Sequence, residues 1–144
     1  MRRHPALVPL SHDHHHELVR ARSLRRAAAA AEEERLAAAE TFLEFFGSET
    51  LRHFRDEEES LFPLLGLDHP EVVRALREHA EIHGEVRRLR ALVAGGEVAP
   101  EALEGLGRLV ETHVRWEERE LFELIQEAVP APRLEALALP ERPG

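Results

Sequence analysis

The chain has 144 residues, 43% of them apolar, and no cysteine, so we expect one hydrophobic core with no disulfide, iron–sulfur or thiolate chemistry. Its 28 Asp and Glu against 19 Arg, with no Lys, give a formal net charge of −9, which argues against nucleic acid or an anionic membrane as partner. The apolar run from Ala6 to Leu10 is broken by Pro9 and is too short for a leader or a membrane span, so a cytoplasmic protein is expected.

Leu10, Leu18, Ala21 and Leu24 recur at helical spacing and predict a first helix from Leu10 to about Ala30, with Ser11 or Asp13 as a candidate cap. From Ala27 to Glu40 the chain is almost pure Ala, Glu, Arg and Leu, and no Gly or Pro marks the first turn. A second helix carries Phe42, Phe45, Phe46, Leu51, Phe54, Leu61 and Phe62 and closes near Pro63–Gly66. Asp68, as cap, precedes Pro70 and Glu71 at the start of a third helix, which runs to about Ala94 and stops at Gly95 and Gly96. A fourth begins near Pro100 and ends near Ala128, before Pro130 and Pro132. The rest, with Leu134 and Leu137, reads as a short amphipathic tail. No segment alternates like a strand, so the expected fold is an all-α, up-down-up-down four-helix bundle, one domain over 1–144 with the bundle at about 10–129 and the tail at 130–144.

An internal echo joins the second and fourth helices. His53-Phe54-Arg55-Asp56-Glu57-Glu58-Glu59-Ser60-Leu61-Phe62 and His113-Val114-Arg115-Trp116-Glu117-Glu118-Arg119-Glu120-Leu121-Phe122 both read H-x-R-x-E-E-x-x-L-F, 60 residues apart. His and the first Glu, four apart, leave the same helix face. His79 and His83 form another such pair on the third helix, and His14 shares the apolar register of Leu10 and Leu18 on the first. Counted from turns near Leu67 and Glu97, these residues reach similar heights within about one helical turn. For His14 to reach the same level, the first turn must lie near Glu33–Arg35.

Five imidazoles and two carboxylates exceed the four ligands of a structural zinc, so two metal ions fit better, and imidazole with bridging carboxylate suits iron or manganese. Two solvated polar helix faces would also produce part of the pattern. The H-E-x-x-H spacing of zincin proteases and the Glu-x-x-His of ferritin-like proteins are both absent.

His14 in L-x-x-D-H, His53-x-x-x-Glu57, His79-x-x-x-His83 and His113-x-x-x-Glu117, spread over all four helices, resemble the hemerythrin family of HHE cation-binding domains. The resemblance implies two iron ions in a non-haem di-iron centre: His79, His83 and His113 on one ion, His14 and His53 on the other, Glu57 and Glu117 bridging, and an open position for dioxygen or another small diatomic ligand. Glu118 competes with Glu117 for the bridge, and His15 with His14. Three functions stay open: binding or sensing of a diatomic ligand, a di-iron enzyme acting on peroxide or oxygen, and iron storage or handling. A homodimer also stays open.

Overall fold

The computed structural model describes residues 2–142. After a single turn at Pro5–Leu7, helix α1 runs over Val8–Ala27, α2 over 32–65, α3 over Pro70–Ala94, α4 over 100–128 and a short α5 over Ala131–Glu135. No strand occurs among the described residues. Helix α1 packs on α2 and α4, and α3 packs on the same two, so four helices close around a common interior. The tail does pack, through the buried Leu134.

The helix ends follow local chemistry. Pro70 fills the first position of α3, where its missing N–H costs nothing, and the cap is the His69 ring, which accepts from the Glu71 N–H at 3.1 Å, rather than the expected Asp68. Gly66 at φ 116° and Gly96 at φ 81° take backbone conformations that other residues resist, and they end the turns after α2 and α3.

The first turn occupies residues 28–31, earlier than the Glu33–Arg35 that matched heights required. Matching assumed two straight α-helical arms, but α2 carries a π segment, Phe46–Thr50, between the turn and His53. From this turn the α2 arm to His53 is eight residues longer than the α1 arm to His14, and a π turn, which adds about one residue without a full step of rise, supplies only a small part of that difference. Arg35 then ties the turn down, donating to the carbonyls of Ala30 (2.7 Å) and Val98 (2.9 Å).

Two further π segments, Glu57–Leu61 and Glu117–Leu121, begin at equivalent glutamates of the echo. The N–H of Phe62 donates to the Glu57 carbonyl, and that of Phe122 to the Glu117 carbonyl. At about 100° per residue an unbroken α-helix would put Phe62 on the face opposite His53. The wide turn rotates the remainder of each helix, so Leu61, Phe62, Leu121 and Phe122 are all buried below the same glutamates.

The apolar interior is divided. One cluster holds Leu24, Phe42, Phe46, Phe54, Ile82 and Leu106 toward the first and third turns. The other holds Leu7, Leu10, Phe62, Trp116, Phe122 and Ile125 toward the second. Between them lies a buried polar layer that includes Asp13, His14, Glu17, His53, Glu57, His79, His113 and Glu117.

The α1–α4 contact sets the spacing of this layer. A Cβ at Gly107 would stand 2.5 Å from Arg25 Cγ and 2.8 Å from the Ala21 carbonyl oxygen. Arg25 is held over it by Glu104 at 3.1 Å and Glu111 at 2.6 Å. Gly→Ala inside an exposed helix gains about 1 kcal/mol. Here the backbone contact reverses the sign, and Gly107→Ala should destabilise the chain by about 1–3 kcal/mol, as overpacked cores do. Urea unfolding of the two proteins checks this.

Candidate metal centre

Four ring nitrogens and two carboxylates meet in the polar layer. The ligand atoms of His14, His53, Glu57 and Glu117 lie within 4.8 Å of one another, as do those of Glu57, His79, His113 and Glu117. All six residues are buried, and both glutamates belong to both groups. Glu57 turns Oε2 to His53 (3.1 Å) and His14 (3.5 Å), and Oε1 to His79 (3.2 Å). Glu117 turns Oε1 to His14 (2.8 Å), and Oε2 to His113 (2.9 Å) and His79 (3.4 Å). Each carboxylate thus offers one oxygen to each side, the posture of a bridge.

The other nitrogen of every ring is fixed by an acid. Nδ1 of His14 donates to Glu118 at 2.6 Å, that of His53 to Asp13 at 2.9 Å, that of His79 to Glu58 at 2.6 Å and that of His113 to Glu78 at 2.7 Å. With Nδ1–H committed outward, the neutral ring keeps the Nε2 lone pair for the interior, the arrangement that orients metal-ligating histidines. Three of the four acids are braced in turn by arginine: Arg3 on Glu118 (2.8 Å), Arg142 on Asp13 (2.9 Å) and Arg74 on Glu78 (2.9 Å).

The inward atoms have little else to bind. His53 Nε2, His79 Nε2, His113 Nε2, both Glu57 oxygens and Glu117 Oε2 are buried without a hydrogen-bond partner. Burying such atoms unsatisfied is costly, so their convergence calls for an occupant that takes lone pairs. Two donors adjacent on an octahedral ion with bonds of about 2.1 Å lie about 3.0 Å apart, close to the contacts seen here. The residues fit a pair of cations, each with two imidazole nitrogens and two carboxylate oxygens.

Without an ion the layer holds protons. Burial alone would lower the imidazoles, but Glu17 and Glu57 push His53 up to about 10, and Glu117 and Glu78 push His113 up to about 9. Burial likewise opposes the charge on His14 and His79, and their hydrogen bonds to Glu117, Glu57 and the outward acids hold both well above the ordinary imidazole value. Burial would raise Glu117 and Glu57, yet the imidazoles around them hold both below the usual carboxylate range. Glu118 is desolvated too, but hydrogen bonds from His14 and Ser11 bring it down to about 2.

Of the residues expected from sequence, His14, His53, Glu57, His79, His113 and Glu117 are brought together. His83 is not. It is half-buried and packs edge-on against Phe46 (5.5 Å between centroids) and Phe54 (5.7 Å). Phe54 stacks on the His79 ring at 3.8 Å and stands beside His83 at the same time. His15 is exposed, and Glu118 holds the back of His14 rather than joining either group. Asp13, Glu58 and Glu78, which hold the backs of the rings, were not among the site residues expected from sequence. Their signal is the repeated dipeptide: an acid directly before His14 and His79, and an acid directly after Glu57 and Glu117.

A family model described as Hemerythrin HHE cation binding domain matches residues 7–125. No curated protein and no solved structure matches the chain. No described helix is long and apolar enough to cross a membrane.

The protonation pattern gives the metal-free protein a definite pH profile. Histidines raised from 6.5 to about 9 and about 10 contribute stability that is complete below pH 6.5 and is lost progressively as pH rises toward those values. The depressed glutamates act in the other direction, contributing above their unfolded value of 4.5 and losing it as pH falls. The melting temperature of the metal-free chain should therefore peak between about pH 4.5 and 6.5 and decline steadily to pH 10. Metal displaces these protons, so the rise in melting temperature on metal addition should be larger at pH 8.5 than at pH 6.5. Differential scanning calorimetry with and without chelator measures both trends.

Proposed function

The chain belongs to the hemerythrin family of HHE cation-binding domains, and on that premise we propose that it carries two iron ions and binds or senses dioxygen or another small diatomic ligand. The observation that carries this reading is the set of unpartnered, inward-facing imidazole nitrogens and carboxylate oxygens in two groups joined by Glu57 and Glu117. We assign His14 and His53 to one ion, His79 and His113 to the other, and the two glutamates to both. This six-residue set leaves out His83, the seventh residue the sequence suggested, which packs against Phe46 and Phe54 and belongs to neither group. When bound, the iron pair supplies the reversible redox change that carriage of dioxygen requires.

The chain's own residues do the rest. Four carboxylates hold Nδ1 of the four rings, so each imidazole is oriented before any ion arrives. Phe122 lies against His14 (5.0 Å between centroids), Phe62 against His79 (5.8 Å) and Phe54 on the other face of the layer. These rings keep water from the centre, which favours a neutral diatomic over solvent. Two imidazoles and two carboxylate oxygens per ion leave further positions of an octahedral ion free for a ligand.

Anaerobic iron loading, metal analysis and absorption spectra in air, after dithionite and after re-oxygenation test the reading. About two irons per chain and a spectrum that returns on re-oxygenation are expected; less than one iron per chain would sink it. Glu57→Ala and His113→Ala should each remove at least half of the bound iron and most of the metal-induced rise in melting temperature. His83→Ala should leave the iron content unchanged.

A further inference from the structure

The centre is built twice, and one buried position beside the first histidine of each half carries a charge in one half and none in the other. Asp13-His14 on α1 and Glu78-His79 on α3 repeat an acid followed by an inward histidine. Three residues beyond the histidine, α3 has Ile82 and α1 has Glu17, both buried. Glu17 is 3% exposed, and neither of its side-chain oxygens has a hydrogen-bond partner. Its Oε2 stands 3.9 Å from His53 Nε2, yet Glu17 belongs to neither four-residue group. The carboxylate stands outside both groups and faces the first of them.

Glu17 also stands where space leads inward. On one side it lines a cavity of about 420 Å³ between α1 and α2, together with the acids Asp13, Glu44 and Glu49 and with Arg20 and Arg52, Glu17 being the one of these acids that also borders the inner void. On the other it borders a void of about 10 Å³ against Phe54, Ile82 and His113. The apolar Ile82 therefore closes the second half at the position where Glu17 places a charge in the first.

We propose that Glu17 makes the two metal positions unequal and sets ligand specificity: small molecules reach the His14–His53 position through the α1–α2 cavity, and the Glu17 carboxylate turns anions away while admitting neutral ones. This rests on the two-metal reading above. A fixed negative charge a few ångströms from the arriving group, in a poorly solvated interior, acts on an anion far more strongly than it would in water. A neutral diatomic meets no such barrier.

The test uses azide as an anionic probe on the iron-loaded, oxidised full chain. Glu17→Gln keeps the shape and removes the charge, Glu17→Leu makes the first half resemble the second, and Ile82→Val serves as the control. Both Glu17 variants should hold as much iron as the unmodified chain and bind azide at least about tenfold more tightly. Ile82→Val should stay within twofold of the unmodified chain. Azide affinity unchanged or weaker in both Glu17 variants overturns the proposal. So does an equal gain in Ile82→Val, or a loss of iron from both Glu17 variants, which would make Glu17 a metal donor. Less than one iron in the unmodified chain is a different result: it removes the two-metal reading itself.

Discussion

Every unusual feature of this bundle answers one constraint: a layer of carboxylates and imidazoles lies across the middle of an apolar interior, and buried charge is tolerated only when it is compensated. Six side chains point inward to a common space, and four acids hold the backs of the four rings. Beyond those acids stand the guanidinium groups of Arg3, Arg74 and Arg142. Charge therefore alternates outward from the centre, from carboxylate through imidazole and acid to arginine. Both chain ends are drawn into this order, because Arg3 precedes the first helix and Arg142 follows the last. An acidic chain can tolerate such a layer because protons, in the absence of metal, occupy the imidazoles and neutralise the glutamates between them.

The helices and their ends were legible in the sequence because they depend on short-range chemistry. Pro70, Pro100 and the two-glycine stop at Gly95 and Gly96 act within one turn of where they stand. The echo between His53–Phe62 and His113–Phe122 showed which faces carry the site, since i, i+4 spacing is a local property. What could not be read depends on tertiary context. The Ala27–Glu40 run favours helix throughout, and only packing of the ends, with Arg35 reaching Ala30 and Val98, decides where it breaks. The π turns were hidden because nothing in their composition distinguishes them from α-helix. His83 has the spacing of a ligand, but the rings of Phe46 and Phe54, remote in sequence, decide where it sits.

The π turns have a clear mechanical purpose. A helix that gave Glu57 to the metal layer would, continued at a constant 100° per residue, carry Phe62 away from the core about one and a half turns later. One widened turn corrects the phase and returns Leu61 and Phe62 to the interior, and the same correction occurs at Leu121 and Phe122. Each pair of helices thereby serves a polar layer and an apolar floor with one stretch of chain. The floor is itself part of the site, because Phe62 lies against His79 and Phe122 against His14.

The outward acids also link the two halves of the chain. Glu58 on α2 holds His79 on α3, and Glu118 on α4 holds His14 on α1. Each hairpin lends the other the residue that aims its first histidine, while keeping at home the acid that aims its second: Asp13 for His53, and Glu78 for His113. Neither α1–α2 nor α3–α4 alone can orient all of its own imidazoles. A half-molecule is left with one ring aimed and one adrift, so the centre arises only on mutual closure, and a nascent chain cannot assemble it before Glu118 has been synthesised.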